Sequence, residues 1–457
     1  MPVRPTAALT PLLVIALTGT ALTACGGDSG SDPDTVKVSY KQSTDNSVKV
    51  MDTYLAGVKE QFEREHPGKK VEFVPIKAPD SEYYTKLQQM LRSPRTAPDL
   101  VYEDTFLINS DITSGYLKPL DPYLAKWPDW SRFVDSAKAA ARGRDGKTYG
   151  VPDGTDTRGL WFDRRVFRKA GLPPDWRPRT WDDVLAAART IKRKVPGVVP
   201  LNVYTGKPAG ERATMQGFEM LLYGTGDGTR DPLYDSGSQK WITGSQGFKD
   251  SLEFVETVYR DKLGPDVSDA LDPNFNTAVN GELLPQGKIG IALDGSWLPQ
   301  DWLPGSGHEW PQWSKQLGLA AMPTQAGQAP GKVSMSGGWT WSVPAKAANP
   351  GLAFDFIRTL QTKDNARKWY IANSGIAVRE DVAADPAYTG AQPGIRFFTD
   401  LVASTHYRPA YPAYPKVSTA VQEAMEAVTT GDLSVAKAAS EYDATLADVT
   451  GGQVVRK

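Results

Sequence analysis

Alternating hydrophobic and polar residues predict a strand at residues 36–40, which read VKVSY. A helix is predicted over 53–66, because Leu55, Val58 and Phe62 recur at helical spacing before Pro67 and Gly68 stop it. The same order of elements then repeats, with a strand, a helix and a strand at 71–74, 84–91 and 100–102. Strands that alternate with helices predict an α/β fold, with a parallel sheet covered on both faces.

A second α/β section begins near Tyr149. Residues 160–162 have the pattern of a strand, and 180–183 have the form of a capping box that opens a helix ending before Pro196. Further apolar stripes predict a helix, a strand and two C-terminal helices at 248–259, 288–293, 352–360 and 417–428. We interpret the C-terminal stripes as faces that pack into a core.

Residues that directly follow strands are the first candidates for a binding site. In open α/β sheets the ligand crevice lies outside the carboxyl ends of the strands. Lys41 and Gln42 follow the first strand, and Glu103 and Asp104 follow the third. A role as solvated loop ends is equally compatible with the pattern.

The N-terminal 24 residues have the layout of a secretory signal. Arg4 is their single charge, and an apolar centre lies at 11–17. The next residue, Cys25, is the single cysteine of the chain, and the stretch LTAC resembles the lipobox of bacterial lipoproteins. We predict a signal peptide at 1–24 and a lipid-anchored flexible tether at 25–34. A membrane-spanning helix and a buried free thiol are the alternatives.

The charge balance argues against nucleic acid as a partner. The chain has 52 basic and 53 acidic residues, and its net charge of −1 provides no basic footprint for nucleic acid. Its 40% hydrophobic content over 457 residues is sufficient for two domains with separate cores. With one cysteine, no disulfide can form within the chain.

Tryptophans are concentrated in one segment. Six of the thirteen lie between 297 and 341. The stretches DGSW, with Asp294 and Trp297, and GGW, with Gly338 and Trp339, place an indole beside glycine backbone. An indole beside polar groups suits a sugar ring, which has an apolar face and a hydroxyl rim. We favour ligand contact for Trp297 and Trp339, and core packing for the remaining candidates in this segment, Trp302, Trp310 and Trp313.

Five motifs in order resemble the maltose-binding-like family of extracellular solute-binding proteins, which serve ABC importers. The resemblance covers nearly the whole chain after residue 34. The first motif combines YYTKLQ from residue 83 with TAPDLV from residue 96. The other four are YGVPDGTDTRGLWF from 149, TWDDV from 180, GKIGIALDGSW from 287 and SGGW from 336.

The resemblance implies an α/β fold with two lobes, a hinge and a ligand cleft between the lobes. By the family pattern the chain crosses between the lobes near 151–156, 294–297 and 336–339. Lobe 1 would then contain 35–150 and 297–335, and lobe 2 would contain 151–296 and 336–457.

The resemblance also implies ligand-contacting residues. By position, Trp297 resembles the sugar-stacking tryptophan of the family, and Asp156 and Arg158 resemble its polar contacts at the first crossing. Glu103 stands where relatives often have an aromatic residue, so its partner is open. Tyr411 and Tyr414 lie where relatives have another aromatic wall, and loop packing is their alternative.

The implied function is capture of a carbohydrate by hinge closure and its delivery to an ABC transporter permease. The protein would act at the extracellular face of the membrane, held by lipid on Cys25, without catalytic residues, metal or cofactor. A receptor or structural lipoprotein would differ only in its partner. The rival from another class is a secreted glycoside hydrolase, with Glu103 and Asp104, or Asp153 and Asp156, as the paired carboxylates.

Overall fold

The computed structural model describes residues 32–226 and 230–457. The predictions for the signal peptide and for lipidation of Cys25 lie outside these residues. Pro33–Lys457 forms one compact unit. Among the described residues, no helix is both long and apolar enough to cross a bilayer.

The strands are mostly short and are distributed along the whole described chain. They are β1 (Thr35–Ser39), β2 (Lys41–Gln42), β3 (Lys70–Phe73), β4 (Ile76–Lys77), β5 (Leu100–Asp104), β6 (Gly150–Thr155), β7 (Arg158–Asp163), β8 (Val199–Asn202), β9 (Tyr234–Asp235), β10 (Lys240–Thr243), β11 (Ile289–Gly295), β12 (Leu317–Ala320), β13 (Ser334–Ser336), β14 (Gly338–Ser342), β15 (Thr405–Tyr407) and β16 (Val454–Arg456).

The α-helices range from single turns to more than four turns. They are α1 (Val50–Glu65), α2 (Asp80–Leu91), α3 (Ile108–Thr113), α4 (Asp121–Leu124), α5 (Asp135–Ala140), α6 (Arg164–Ala170), α7 (Trp181–Lys194), α8 (Glu219–Leu222), α9 (Gln246–Arg260), α10 (Val267–Ala270), α11 (Phe275–Ala278), α12 (Trp313–Gln316), α13 (Pro350–Leu360), α14 (Lys363–Ala372), α15 (Glu380–Ala383), α16 (Pro386–Thr389), α17 (Ile395–Leu401), α18 (Tyr414–Thr430) and α19 (Val435–Val449). The periodic segments of the sequence therefore form the predicted elements, with bounds that differ by a few residues.

The helix α7 shows how the sequence sets one of these bounds. The Thr180 hydroxyl accepts a hydrogen bond of 3.2 Å from the Asp183 backbone N–H, which would otherwise lack a partner inside the helix. Val184, Ala188 and Ile191 are fully buried along one face of this helix. The cap and the apolar stripe were both visible in the sequence.

Two mixed sheets form the centres of two lobes. The first has the strand order β3-β1-β5-β14-β6, and the second has the order β12-β7-β11-β8. In the first sheet β1, β3 and β5 run parallel, whereas β14 runs antiparallel to both of its neighbours. In the second, β11 and β8 are parallel and β7 is antiparallel to β11 and β12. The parallel pattern predicted from the sequence is thus present only in part of each sheet.

Each sheet lies within its own hydrophobic core. Residues of α1, α13 and α14 pack with the first sheet, and residues of α7, α9 and α18 pack with the second. We call these units lobe 1 and lobe 2. The two-lobe α/β architecture expected from the sequence is therefore present.

The course of the chain between the lobes differs from the prediction. The expected crossing at 151–156 occurs, because β6 belongs to lobe 1 whereas β7 belongs to lobe 2. The chain also crosses at 336–339, but it passes there from lobe 2 to lobe 1, opposite to the predicted direction, because β14 lies in the lobe 1 sheet. The expected return at 294–297 does not occur, since β11 and β12 lie in the same sheet.

The segment 297–335 consequently belongs to lobe 2, where Trp302, Trp310 and Trp313 pack in the same core as Trp161. The prediction placed all of 336–457 in lobe 2, but residues 338–395 belong largely to lobe 1, and the chain returns to lobe 2 between Ile395 and Phe398. The indoles of Trp302, Trp310 and Trp313 are almost fully buried against lobe 2. This packing is the physical reason why the segment 297–335 stays in lobe 2.

Candidate functional site

A cavity of about 350 Å³ lies between the two lobes. Its walls include residues at or just beyond the ends of strands, as the crevice rule predicts for α/β sheets. Nine of the twelve predicted contact residues line it: Lys41, Gln42, Asp104, Asp156, Arg158, Asp294, Trp297, Gly338 and Trp339. We call this cavity the central cleft.

Trp339 and Trp297 reach the central cleft from opposite lobes. Trp339 lies on β14 in lobe 1, half-buried, and its ring stacks on Tyr102 with a centroid distance of 4.8 Å and an interplanar angle of 4°. Trp297 follows β11 in lobe 2, and it is also half-buried. The remaining tryptophans of this segment pack as expected, with Trp302 only 1% exposed.

Glycine is required beside both indoles. A Cβ atom at Gly295 would overlap the six-membered part of the Trp297 ring. Gly338 has a φ of +142°, and a Cβ atom there would lie 2.6 Å from the Gly154 carbonyl oxygen. The two glycines therefore allow the backbone and the indoles to pack closely, as the DGSW and GGW motifs indicated.

Asp156 and Arg158 join the strands that connect the lobes. The Asp156 carboxylate accepts a hydrogen bond of 2.8 Å from the Gly337 backbone N–H and another from the Arg158 guanidinium. Arg158 also donates to the Met335 carbonyl at 3.1 Å, and its guanidinium carbon lies 4.8 Å from the centroid of the Trp297 ring. The pair therefore holds the two crossing segments together and contacts one indole plate.

An ion-pair cluster connects the lobes at one side of the cleft. The Asp80 carboxylate of lobe 1 forms an ion pair with Lys41 of the same lobe. It forms a second ion pair, of 2.9 Å, with Arg212 of lobe 2. Burial raises the pKa of Asp80, but the charges of Lys41 and Arg212 outweigh burial and lower it below its usual value. Both cations of the cluster therefore share one carboxylate, which ties Lys41 of lobe 1 to Arg212 of lobe 2.

Arg408 makes a second bridge between the lobes. Its guanidinium donates to Asp104 of lobe 1 at 2.9 Å and to Glu211 of lobe 2 at 3.3 Å. Asp104 also accepts a hydrogen bond of 2.6 Å from the Tyr84 hydroxyl. Burial lowers the pKa of Arg408, but the two carboxylates outweigh it and raise this pKa, so the arginine stays charged.

Asp294 lies almost completely buried in the cleft wall. Its carboxylate accepts a hydrogen bond of 2.9 Å from the Tyr204 hydroxyl and another of 2.8 Å from the Gly295 backbone N–H. Burial raises the pKa of Asp294 above its usual value, although these hydrogen bonds oppose the shift. The carboxyl group thus adds a buried, hydrogen-bonded polar group to the wall of the cleft.

The bacterial extracellular solute-binding protein family matches this chain over residues 44–367. The chain belongs to this family. A 149-residue stretch is 30% identical to an uncharacterized ABC transporter extracellular-binding protein of Pyrococcus horikoshii, covering 32% of this chain and 33% of that one. The melibiose/raffinose/stachyose-binding protein of Bacillus subtilis is 26% identical over 389 residues, which is 82% of each chain. Maltose-bound MalE3 of T. maritima, 19% identical, has the same fold with a TM-score of 0.77, covering 91% of this chain and 100% of that one.

Glu103 does not face the cleft of this solute-binding protein. Successive side chains of a strand point to opposite faces, and Asp104 takes the cleft side of β5. Glu103 is completely buried with its carboxyl group beside that of Asp111. Burial raises the pKa of Glu103 well above its usual value, and burial raises the pKa of Asp111 to about 6.

Tyr411 and Tyr414 also lie outside the central cleft. The Tyr414 hydroxyl is buried and lies within hydrogen-bond distance of carboxyl oxygens of Glu211, at 3.0 Å, and of Glu219, at 2.7 Å. Tyr411 is half-buried, with its ring 3.9 Å from that of Tyr234. Both tyrosines line a different cavity.

The carboxylate pairs considered for a hydrolase do not sit as free pairs in the cleft. Glu103 faces away from Asp104. The Asp153 carboxyl group is buried and accepts a hydrogen bond of 2.5 Å from the Gln361 amide. Burial raises the pKa of Asp153 to about 8. Asp156 is engaged by the crossing segments, as described above.

Several cleft residues of this solute-binding protein were not identified from the sequence. Tyr204 follows β8 by two residues, so the crevice rule applied to that strand could have found it. Asp45 of lobe 1 hydrogen-bonds His308 of lobe 2 at 2.7 Å, a contact between residues 263 positions apart that has no local signal. The other missed members include Arg212, Gln300, Asp301 and Trp369.

Proposed function

We propose that this protein captures a neutral di- or oligosaccharide outside the cell and delivers it to the permease of an ABC transporter. The observation that carries the proposal is the placement of Trp297 and Trp339 on opposite lobes around one cavity. Indole faces suit the apolar face of a sugar ring, and the surrounding polar side chains suit its hydroxyl groups. The relative that binds melibiose, raffinose and stachyose supports the same ligand class.

The electrostatics of the cleft favour an uncharged ligand. Arg158, Arg212 and Arg408 each have a carboxylate partner. A charged ligand would have to compete for these partners, whereas a neutral sugar can accept and donate hydrogen bonds without separating them. This favours a polyhydroxylated neutral molecule over an organic acid or a phosphate ester.

Capture would proceed by closure of the lobes around the ligand. Asp80 with Arg212, Asp104 with Arg408 and Asp45 with His308 already connect the lobes, which corresponds to a closed arrangement. An open form would break these contacts. A sugar that touches both indoles favours the closed form by its differential affinity for the two forms.

The anchor belongs to the same proposal. Lipid on Cys25 would hold the protein at the extracellular face of the membrane, and the following residues would let the lobes reach the permease. Metabolic labelling with palmitate tests this, since Cys25→Ser should abolish the label and release the protein into the medium. Label retained by the Cys25→Ser variant would contradict the anchor.

Calorimetry with maltose, lactose, melibiose and raffinose tests the ligand class, and we expect stoichiometric binding of at least one of them. Chromatography of the sugars after long incubation tests the hydrolase alternative. Release of monosaccharides would contradict a binding function. Failure of every neutral sugar to bind would contradict the carbohydrate assignment.

A further inference from the structure

Asp45 and His308 line the central cleft from opposite lobes and contact each other. Asp45 lies in the loop between β2 and α1 of lobe 1, and His308 lies in the loop before α12 of lobe 2. The distance from Asp45 Oδ2 to His308 Nε2 is 2.7 Å, and the Ser47 hydroxyl lies 3.4 Å from the same nitrogen. We call this contact, formed by Asp45, Ser47, Gly307 and His308, the interlobe latch.

Glycine backbone lets the two sides of the interlobe latch approach closely. Gly307 has a φ of +106°, and a Cβ atom there would overlap the Ser47 carbonyl oxygen of lobe 1. A Cβ atom at Gly281 would lie 2.8 Å from the His308 ring, so the ring rests against the backbone of its own lobe. The imidazole is therefore positioned by lobe 2, and opening of the lobes would separate it from Asp45.

Asp45 is arranged to accept a hydrogen bond from His308. Its Oδ1 atom accepts hydrogen bonds of 2.8 Å from the Ser47 backbone N–H and 2.6 Å from the Ser47 hydroxyl, which leaves Oδ2 for the imidazole. The hydrogen bond from the Ser47 hydroxyl is the main cause that lowers the pKa of Asp45 to about 2, and the contact with His308 adds to it. Asp45 is therefore negatively charged over the whole range in which a histidine ordinarily titrates.

The surroundings of His308 favour its protonated form. Charge-assisted hydrogen bonds are roughly twice as strong as neutral ones, so a proton on the imidazole strengthens its bond to Asp45. Asp301 of the same lobe also interacts electrostatically with His308, and burial raises the pKa of Asp301 to about 6. Glu309 is the next residue of the chain, and Lys41, a cation near Asp301, is ion-paired with a carboxylate of lobe 1. Acidic groups therefore dominate the neighbourhood of the imidazole.

We propose that the interlobe latch couples closure of the lobes to protonation of His308, so that the protein binds its sugar more tightly in mildly acidic surroundings. The inference goes beyond the proposed function but rests on its closure step. In the closed form the protonated imidazole lies against a carboxylate, whereas in the open form it does not. Protons therefore favour the closed form, and this contribution is lost as the pH rises and the imidazole becomes neutral.

The test is calorimetry of the mature protein with its best-binding sugar in a series from about pH 5 to about pH 8. Affinity should fall about two- to fivefold over this series, which is the range for a partly exposed ion pair. Closure should also take up a fraction of a proton near about pH 6.5. The heat of binding should therefore differ there between buffers of different ionisation enthalpy.

Two variants isolate the charge of His308. His308→Gln keeps a neutral donor near the position of Nε2, so it should bind like the unmodified protein at the alkaline end and gain nothing at the acidic end. His308→Lys stays charged throughout and should keep the higher affinity across the series. His406→Gln is the matched control, because His406 packs on Tyr223 in lobe 2 and does not line the central cleft. It should follow the unmodified protein at every pH.

Affinity of the unmodified protein that does not change with pH would overturn this inference and leave the carbohydrate function standing. A gain at acidic pH that survives His308→Gln would also overturn it, because another group would be the source. If no neutral sugar binds at any pH, the proposed function fails, and small-angle scattering of the unliganded protein decides on the latch. A radius of gyration that decreases at acidic pH only when His308 is present supports the latch, and a radius that does not change overturns it.

Discussion

Replacement of Trp297 by alanine removes the lobe 2 plate of the central cleft. A fully covered tryptophan side chain buries roughly 150–250 Å², and a sugar can cover one face, which is about 70 Å². The contacting face of the sugar loses a comparable area of contact with water, but only about half of that area is apolar, because the rest is hydroxyl. At about 25 cal/mol per Å², the lost contact is worth about 2–3 kcal/mol.

This free energy corresponds to a loss of affinity of about 30- to 150-fold. The indole is half-buried and contacts Arg158, so the unliganded variant should also lose some stability. That loss should stay below the roughly 3–5 kcal/mol typical of a fully buried aromatic residue. The variant should therefore fold and bind weakly.

Isothermal calorimetry with the best-binding sugar measures the affinity, and urea unfolding of the unliganded protein measures stability. Trp297→Phe is the first control and should retain an intermediate affinity, because it keeps a smaller ring. Trp313→Phe is the second control, since Trp313 is buried in the lobe 2 core away from the cleft. Affinity of Trp297→Ala within about twofold of the unmodified protein would refute the stacking role.

Three further predictions concern closure and stability. Arg212→Met should break the bridge to Asp80, expand the unliganded protein in small-angle scattering and weaken sugar binding; an unchanged radius of gyration would contradict the bridging role. Burial raises the pKa values of Glu103 and Asp111. The contribution of this pair to stability is therefore fully present below the unfolded pKa values of about 4, and it is lost as the pH rises through about 6. Glu103→Gln should flatten this decline in a melting series from pH 4 to 8, and parallel curves would contradict it. Trp302→Ala should cost about 3–5 kcal/mol in urea unfolding, because Trp302 is 1% exposed, and a much smaller loss would argue against its core role.

Much of the fold was predictable because periodic segments report burial directly. The stripes of α1, α7, α9 and α18 are local, and the Thr180 cap is local as well. The candidate site was predictable to the extent that strand ends define the crevice, which is how Lys41 and Asp104 were found. Trp297 and Trp339 were recognisable by their glycine neighbours.

The remaining features depend on contacts between distant parts of the chain. Which of Glu103 and Asp104 faces the cleft depends on the register of β5 against β14, which lies more than 230 residues later. The partners of Arg212 and His308 lie across the cleft and have no sequence signal. The lobe assignments of 297–335 and of 338–395 were wrong, because the family pattern suggested a return to lobe 1 near 294–297, whereas packing of three indoles against Trp161 keeps 297–335 in lobe 2.

The position of β14 affects the order in which the protein can fold during synthesis. This strand lies between β5 and β6, yet it is made after almost 200 further residues. A nascent chain that ends before residue 338 leaves a gap in the middle of the lobe 1 sheet, with unpaired backbone groups on both sides. Lobe 1 therefore cannot mature as an N-terminal unit on the ribosome, and its completion must wait until lobe 2 is largely translated.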